Sequence, residues 1–248
     1  MEFISDLSKD EILQLIERAK NLKMRDERNL KCENKIFGLL FFEPSTRTCL
    51  SFESAIYRMG GKIIKYNKDY SSEKKGETLE DTIRTIDNYV DIFIIRHPEK
   101  NIISKIKKYT NKKIINAGDG DGEHPTQALL DLFTIMENFN KIPENIGFVG
   151  DIKYSRTIHS LVYLLSLLNF NQNYHFICNE KLTPQGKFLK YLKDNNIVYF
   201  IYDTPSSIIN NLDILYITRL QKERFNNEII NPIIIDQKII KNSKETLI

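Results

Sequence analysis

Residues 41–53, FFEPSTRTCLSFE, join a predicted strand to a predicted helix and carry a dense group of polar side chains. The segment before them, residues 36–42, is an apolar run broken by one glycine, which predicts a buried parallel strand. Pro44 ends that strand, because proline cannot donate to a strand ladder, and Ser45 follows at the position of a helix N-cap. The helix is predicted to continue to the Gly60-Gly61 pair.

The first turn of this helix is predicted to bind a phosphate group. A helix start offers unpaired backbone N–H groups and the positive end of the helix dipole. Ser45, Thr46 and Thr48 add three hydroxyl groups, and Arg47 adds a fixed positive charge. Such donors are those that a phosphate group requires. An ordinary capped helix with a solvated arginine is the alternative, since caps of this type are common.

Apolar runs and helical patterns alternate along the rest of the chain. The predicted strands are residues 36–42, 62–66, 91–96, 113–117, 146–150, 174–178, 197–202, 213–218 and 233–236. The other predicted helices are residues 9–24, 78–89, 101–109, 125–138, 155–168, 183–195 and 206–211. Solid apolar strands that alternate with helices predict an α/β fold of parallel sheets flanked by helices. The alternation restarts after a Pro/Asn-marked link, so we expect two domains, residues 1–140 and 141–248, with a cleft between them.

Composition excludes several classes of function. The 248 residues are 41% apolar and 28% charged, which is ordinary for a globular protein. The net charge is only +3 and its signs are interspersed, so no nucleic-acid surface is expected. No apolar run approaches ~18 residues, so no membrane span is expected. The three cysteines and four histidines show no disulfide or metal pattern, which favours the cytoplasm and a protein without a metal.

Four arginines follow different predicted strands. Arg47 and Arg96 come after strands in the first half, and Arg156 and Arg219 come after strands in the second half. Ligands of open α/β sheets bind beyond the carboxyl ends of the strands. The arginines therefore indicate a small ligand with several negative charges, such as a phosphate together with carboxylates.

His124 is the histidine for which the sequence predicts a catalytic role. It precedes Pro125 at a predicted helix start, after the glycine-rich turn at residues 118–122. The positive end of the helix dipole would favour a neutral imidazole, which could donate a hydrogen bond to a carbonyl oxygen that gains charge during a reaction. His97, His159 and His175 are predicted to be structural, and Cys49 is predicted to pack rather than react. Residues 147–153, GFVGDIK, lack the G-x-G-x-x-G spacing, so no dinucleotide site is predicted.

Seven stretches, in order along the chain, resemble the motifs of the aspartate carbamoyltransferases (catalytic chain). They are FEPSTRT at 42–48, KKGET at 74–78, RHP at 96–98, NAGDG at 116–120, HPTQ at 124–127, GDIKYSRTIHS at 150–160 and TRLQKER at 218–224. The ornithine branch of the superfamily shares the STRT and HPTQ motifs. The KKGET loop and the pair formed by Arg219 and Gln221 favour the aspartate branch.

The resemblance implies a transferase without a metal or cofactor. It would move a carbamoyl group from carbamoyl phosphate to the α-amine of L-aspartate, in pyrimidine synthesis. The catalytic residues that it implies are Arg47, Thr48, Lys75, Arg96 and His124. Phosphate contacts would come from Ser45, Thr46, Arg47, Thr48 and Arg96. The carbamoyl carbonyl would be polarised by Thr48, Arg96 and His124, and the carbamoyl amide oriented by Gln127. The aspartate carboxylates would be held by Arg156, Arg219 and Gln221.

The resemblance also implies partners. The family is a catalytic homotrimer in which a loop, here with Ser71 and Lys75, enters the active site of the neighbouring subunit. A regulatory chain is a further partner that the resemblance allows.

The sequence departs from the family pattern at two places, and alternative functions remain open. The sequence ends about where the family continues into a His-Pro-Leu-Pro-Arg loop and a final helix, so a C-terminal segment is expected to be missing. Cys49 stands where bacterial members usually have arginine. The alternative function is a truncated or catalytically incomplete carbamoyltransferase-like protein that binds ligands or partner chains without turnover. A third reading, an ornithine-type enzyme, predicts turnover with ornithine and not with aspartate.

Overall fold

The computed structural model describes residues 1–24, 32–67, 71–120, 122–139, 141–168, 171–225 and 229–241. The chain divides into two compact units, Met1–Leu129 and Leu130–Ile248. The predicted domain boundary at residue 140 falls on a residue outside the described ones and stays a prediction. Within the ranges that the structure describes, every helix is too short or too polar to span a lipid bilayer.

The first unit is built on a four-stranded sheet in the order β2-β1-β3-β4, and all of its strand pairs are parallel. Its strands are β1 (Ile36–Phe41), β2 (Lys62–Tyr66), β3 (Ile92–His97) and β4 (Lys113–Asp119). Its helices are α1 (Lys9–Met24), α2 (Thr46–Arg58), α3 (Leu79–Asp87) and α4 (Ile102–Ile106), and α5 (Pro125–Asn138) begins in this unit.

Alternate residues of the central strands enter two separate cores. Leu40, Phe93 and Ile95 belong to one buried cluster, whereas Leu39 and Ile94 belong to another. Because successive side chains of a strand point to opposite faces, both faces of this sheet are covered. This arrangement confirms the parallel, doubly covered sheet that the solid apolar strands predict.

The second unit repeats this architecture with a four-stranded parallel sheet in the order β7-β6-β5-β8. Its strands are β5 (Asn145–Val149), β6 (Asn173–Ile177), β7 (Tyr199–Tyr202) and β8 (Ile214–Ile217). Its helices are α6 (Arg156–Leu167), α7 (Gly186–Asp194) and α8 (Gln237–Lys241), and most of α5 belongs to it. The α/β fold with two sheets is therefore confirmed.

The strand predicted at residues 233–236 is wrong. Ile233 and Ile235 pack against the buried cluster of the second unit, but the segment pairs with no strand among the described residues. Alternating isoleucines can bury side chains without forming a strand ladder, so periodicity alone does not establish a strand. The short helix α8 follows directly at Gln237.

Other predicted elements differ from the structure in type or at their ends. The helix predicted from residue 183 begins at Gly186, whose φ of +56° interrupts any helix that starts earlier. The helix predicted at 206–211 is two short 3-10 turns, Pro205–Ser207 and Ile209–Asn211. Strand β4 continues two residues beyond the predicted end, because Asp119 pairs with His97 after an irregularity in the register.

Candidate active site

The candidate residues of the first unit lie at the carboxyl edge of its sheet. Phe41 at the end of β1 is aligned with Arg96 on β3, and His97 is aligned with Asp119 at the end of β4. The segment from Ser45 to Thr48 follows β1, and His124 follows β4. Since the strands are parallel, the end of each one delivers its polar residues to the same edge.

The first turn of α2 keeps its donors available. Ser45 is the N-cap residue, as predicted, but its side chain makes no capping hydrogen bond. Ser45 and Thr48 are half-buried, and Thr46 and Arg47 are exposed. Arg47 forms no ion pair with any residue that the structure describes. The turn therefore presents hydroxyl groups, N–H groups and one guanidinium to an incoming anion.

Arg96 is held in place by Glu43. Arg96 Nε lies 2.7 Å from Glu43 Oε1, and the two side chains are only 14% and 22% exposed. Arg96 Nη1 also donates to the carbonyl oxygen of Ala117 at 3.3 Å. The ion pair and the Nη1 hydrogen bond hold the guanidinium at the end of β3. The sequence interpretation gave Glu43 no role, although an acidic residue next to an anion site is a usable signal.

His124 is fixed at the start of α5. It is 5% exposed, and its carbonyl oxygen accepts from the N–H groups of Gln127 at 3.0 Å and Ala128 at 3.1 Å. Thr126 Oγ1 lies 3.4 Å from His124 Nδ1. The helix start therefore places the imidazole and the half-buried Gln127 within the first turn of α5.

Ser71 and Lys75 lie on a separate loop of the first unit. Ser71 Oγ accepts a hydrogen bond from the Tyr66 hydroxyl at 3.1 Å. Lys75 is exposed at the end of a 3-10 helix, Ser72–Lys75. Within the described part of the chain, Lys75 makes no hydrogen bond or ion pair with the other candidate residues. No direct contact in the described residues therefore joins Lys75 to the candidate residues at the carboxyl edge of the sheet.

In the second unit, the candidate residues follow two adjacent strands. Arg156 is the first residue of α6, after β5, and Arg219 and Gln221 follow β8. The Thr218 N–H group donates to the carbonyl oxygen of Val149 at 2.9 Å, which holds the two strand ends together. Gly150 has a φ of +116°, and a Cβ atom there would lie 2.4 Å from the Thr218 carbonyl oxygen. Only glycine fits this close approach.

Asp151 ties the two segments that follow these strands. It is fully buried, and its Oδ1 accepts from the Tyr154 N–H at 2.9 Å. Its Oδ2 accepts from the Gln221 N–H at 3.2 Å. A buried carboxylate satisfied by backbone donors from both segments holds them in one arrangement. The sequence interpretation missed this residue, because its partner lies 70 positions away.

The remaining histidines and Cys49 make packing and hydrogen-bond contacts, which fits the structural roles predicted for them. His159 Nε2 donates to the Ile152 carbonyl oxygen at 2.7 Å, and its ring stacks on Phe188. His175 packs on Phe200, and the Nδ1 of His97 accepts from a backbone N–H. Burial, with a hydrogen bond to Glu53, raises the pKa of the Cys49 thiol to about 11, so the reactive thiolate is scarce. Within the described ranges, no three His, Cys, Asp or Glu side chains are grouped to hold a metal ion.

Two family models match the chain, one on each side of the link near residue 140. The carbamoyl-P binding domain of aspartate/ornithine carbamoyltransferase matches residues 3–137. The Asp/Orn binding domain of the same family matches residues 144–248.

Individual relatives are similar over most of the chain. The aspartate carbamoyltransferase catalytic subunit of Methanocaldococcus jannaschii is 44% identical over 90% of this chain and 74% of its own length. That of Vibrio campbellii is 40% identical over 98% of this chain and 81% of its own length. The aspartate transcarbamoylase of Trypanosoma cruzi in complex with carbamoyl phosphate superposes with a TM-score of 0.92 at 33% identity, covering 100% of this chain and 82% of that one. Together with the strand-edge geometry, these matches show that the chain belongs to the aspartate/ornithine carbamoyltransferase family.

Proposed function

We propose that the chain is an aspartate carbamoyltransferase, which transfers the carbamoyl group of carbamoyl phosphate to the α-amine of L-aspartate. The products are N-carbamoyl-L-aspartate and phosphate, and the reaction belongs to pyrimidine synthesis. The observation that carries this proposal is that each sheet ends in cationic donors, with Arg47 and Arg96 in the first unit and Arg156 and Arg219 in the second. The similar Trypanosoma cruzi enzyme has been crystallised with carbamoyl phosphate and aspartate bound, which supports the same two substrates here.

The first turn of α2 would bind the phosphate of carbamoyl phosphate. Ser45, Thr46 and Thr48 would donate from hydroxyl and backbone groups, and Arg47 would supply the charge. Arg96, with its guanidinium held by Glu43, would complete the set from β3. As the C–O bond to phosphate breaks, negative charge grows on the leaving group, and fixed cationic donors stabilise that charge.

Thr48, Arg96 and His124 would polarise the carbamoyl carbonyl. When the amine nitrogen forms its bond to the carbonyl carbon, the carbonyl oxygen becomes an oxyanion, which donors already in place stabilise without reorganisation. His124 is suited to this because it is buried and its backbone is fixed at the start of α5. Gln127, on the same turn, would orient the carbamoyl amide.

The second unit would bind aspartate. Arg156 and Arg219 provide two guanidinium groups, each able to pair with a carboxylate through two hydrogen bonds. Gln221 would add an amide contact, with its backbone held by Asp151. Two cations suit an acceptor with two carboxylates, whereas the δ-ammonium group of ornithine would be repelled. This charge match favours aspartate as the acceptor.

We also propose that the protein is a homotrimer in which Ser71 and Lys75 serve the active site of a neighbouring subunit. Lys75 is exposed and makes no hydrogen bond or ion pair with another described candidate residue, which supports this. Leu50 and Tyr57, seven positions apart on α2, are 57% and 61% exposed and offer an apolar surface for a partner subunit to cover. A cytoplasmic location would suit the three cysteines, each of which is a free thiol.

The choice of acceptor tests the proposed reaction. Initial rates are measured with carbamoyl phosphate and either L-aspartate or L-ornithine. The concentrations of protein and of carbamoyl phosphate are the same in both assays. We expect product formation that saturates with aspartate and stays at the enzyme-free rate with ornithine. Turnover with ornithine alone would overturn the assignment of the acceptor, and no turnover with either would overturn the assignment of the reaction.

A further inference from the structure

Glu123, the residue directly before His124, forms a reciprocal pair of hydrogen bonds with Asp119. The Glu123 N–H donates to Asp119 Oδ1 at 2.8 Å, and the Asp119 N–H donates to the Glu123 carbonyl oxygen at 3.3 Å. The Gly122 N–H donates to the Asp119 carbonyl oxygen at 2.8 Å. The N–H and the carbonyl oxygen of Glu123 are therefore both hydrogen-bonded to the end of β4.

The side chain of Glu123 reaches in another direction, to the N-terminal segment, residues 1–6. Its Oε2 accepts a hydrogen bond from the Ile4 N–H at 2.7 Å, across 119 positions of sequence. Ile4 is itself 1% exposed, so its backbone is held by the burial of its own side chain. The carboxylate therefore joins two segments that are remote in sequence.

The N-terminal segment is a firm anchor because it is bonded along β4. The ammonium group of Met1 donates to the Ile114 carbonyl oxygen at 3.1 Å. The Asn116 N–H donates to the Met1 carbonyl oxygen at 3.1 Å, and Asn116 Nδ2 donates to the Glu2 carbonyl oxygen at 2.8 Å. Glu2 also pairs with Lys107 at 2.5 Å. Met1 and Glu2 are therefore bonded to β4, and the 3-10 turn Ile4–Asp6 follows them directly.

We infer that Glu123 is a positioning residue for His124, because its carboxylate fastens the backbone before the imidazole to the anchored N-terminal segment. The inference rests on the proposed carbamoyl transfer. Glu123, before His124, is held through its N–H, its carbonyl oxygen and its side chain. After His124, its carbonyl oxygen accepts from N–H groups of α5. The backbone is therefore fixed on both sides of the imidazole. Displacing a catalytic group by about 1 Å can cost on the order of 100-fold in rate, so such a contact has a catalytic consequence.

Three substitutions separate the reach of this side chain from its charge. Glu123→Gln keeps the length and an acceptor oxygen but removes the charge. Glu123→Asp keeps the charge but is one methylene too short to reach the Ile4 N–H. Glu123→Ala removes both. The matched control is Glu11→Ala, which deletes a carboxylate that accepts from a backbone N–H at 2.8 Å but belongs to the start of α1.

Steady-state kinetics gives the first readout. We expect Glu123→Asp and Glu123→Ala to lower kcat by about 10- to 100-fold while KM for carbamoyl phosphate changes by less than about threefold. Glu123→Gln and Glu11→Ala should stay within about threefold of wild type. The inference is wrong if Glu123→Gln loses as much kcat as Glu123→Ala, or if all the Glu123 variants retain wild-type kcat.

The second readout does not depend on turnover, so it stands even if the proposed reaction fails. Protein labelled with 13C at histidine Cε1 gives one resonance for each of its four histidines, and His124→Asn identifies the signal of His124. We expect Glu123→Asp to shift or broaden that signal and to leave those of His97, His159 and His175 in place. Glu123→Gln should leave all four unchanged. An unmoved His124 signal in folded Glu123→Asp would overturn the inference, whatever the activity of the wild type.

Discussion

Arg47 is exposed in the first turn of α2 and has no ion pair with a described residue, so no described side chain neutralises its charge. Arg47→Ala should raise the barrier to carbamoyl transfer by ~3–4 kcal/mol, because it removes a charged donor to the leaving phosphate. The measurement is kcat/KM for carbamoyl phosphate. The control is Arg58→Ala, which should keep wild-type activity. Arg58 lies at the other end of α2, where its Nε donates to Ser54 Oγ. Near-normal turnover of Arg47→Ala would remove this residue from the mechanism.

Glu123 makes stability depend on pH. Burial, followed by the charges of Asp119 and Asp6, raises the pKa of Glu123 to about 7 in the folded chain, although the hydrogen bond from Ile4 opposes the shift. The folded state therefore binds this proton more tightly than the unfolded state, so the stabilisation is complete below the ordinary pKa of 4.5 and is lost as pH rises to about 7.

Glu123→Gln should therefore be more stable than wild type above pH ~7, by up to roughly 3 kcal/mol, and equal to it near pH ~4.5. Urea unfolding at both pH values measures the difference. Glu17→Gln, on the exposed face of α1, is the control for removal of a negative charge. A difference that is the same at both pH values would contradict the raised pKa.

At the residue scale, the sequence predicted the side chains at strand ends and missed those that hold them. Ser45 to Thr48 and Arg96 could be found because they stand at the ends of apolar runs, and His124 because it precedes Pro125 at a helix start. Asp151 and Glu123 could not be assigned partners, because their hydrogen bonds reach across 70 and 119 positions. Contacts of this length depend on how strands are ordered in the sheet, which a local pattern does not contain.

Asp151 acts on two elements together, since it accepts from the backbone after β5 and from the backbone after β8. Asp151→Ala leaves two N–H groups without their acceptor, at a cost of ~1–3 kcal/mol each, and loosens the segments that carry Arg156 and Arg219. We expect KM for aspartate to rise by at least about tenfold, with a lower unfolding midpoint.

Asp213→Ala is the control for this effect. Asp213 Oδ2 accepts from the Asn145 N–H at 3.0 Å, a bond of the same kind between the same two strands at their amino ends. Its loss should lower stability without changing KM for aspartate. If both variants change KM equally, or if Asp151→Ala changes stability alone, Asp151 does not organise the aspartate site.

At the element scale, strands that are buried on both faces were the most predictable feature. Their solid apolar runs place β1, β3 and β5 to within a residue or two, because a polar side chain is excluded from either face. Segments with apolar residues on one side were less predictable. Ile233 and Ile235 are half-buried against the core of the second unit without pairing to a strand. The positive φ of Gly186 makes α7 begin later than predicted, which composition does not reveal.

For the whole molecule, shared active sites predict complementation between inactive subunits. Lys75→Ala and His124→Ala should each be inactive alone. In mixed trimers, one site in three receives an intact Lys75 and an intact His124 from different subunits, so activity should recover to about one third of wild type. Mixed trimers are purified by differential tags before assay. Mixed trimers no more active than their parents would place Lys75 and His124 in the site of one subunit.

At this scale, the sequence predicted two α/β units from the restart of the strand and helix alternation after residue 138, and both sheets are present. It could not predict subunit assembly from residue chemistry alone. Exposed apolar side chains such as Leu50 and Tyr57 are visible only once the helix is placed on its sheet.

The most direct test of the proposed function follows the bond that the reaction forms. Carbamoyl phosphate labelled with 13C is mixed with 15N-labelled L-aspartate and the purified 248-residue chain, and the products are followed by NMR. We predict a carbamoyl resonance split by coupling to 15N, appearing at a rate that saturates with aspartate, together with stoichiometric phosphate. Release of phosphate without the 13C–15N coupling, or no reaction above the enzyme-free rate, would contradict carbamoyl transfer to aspartate.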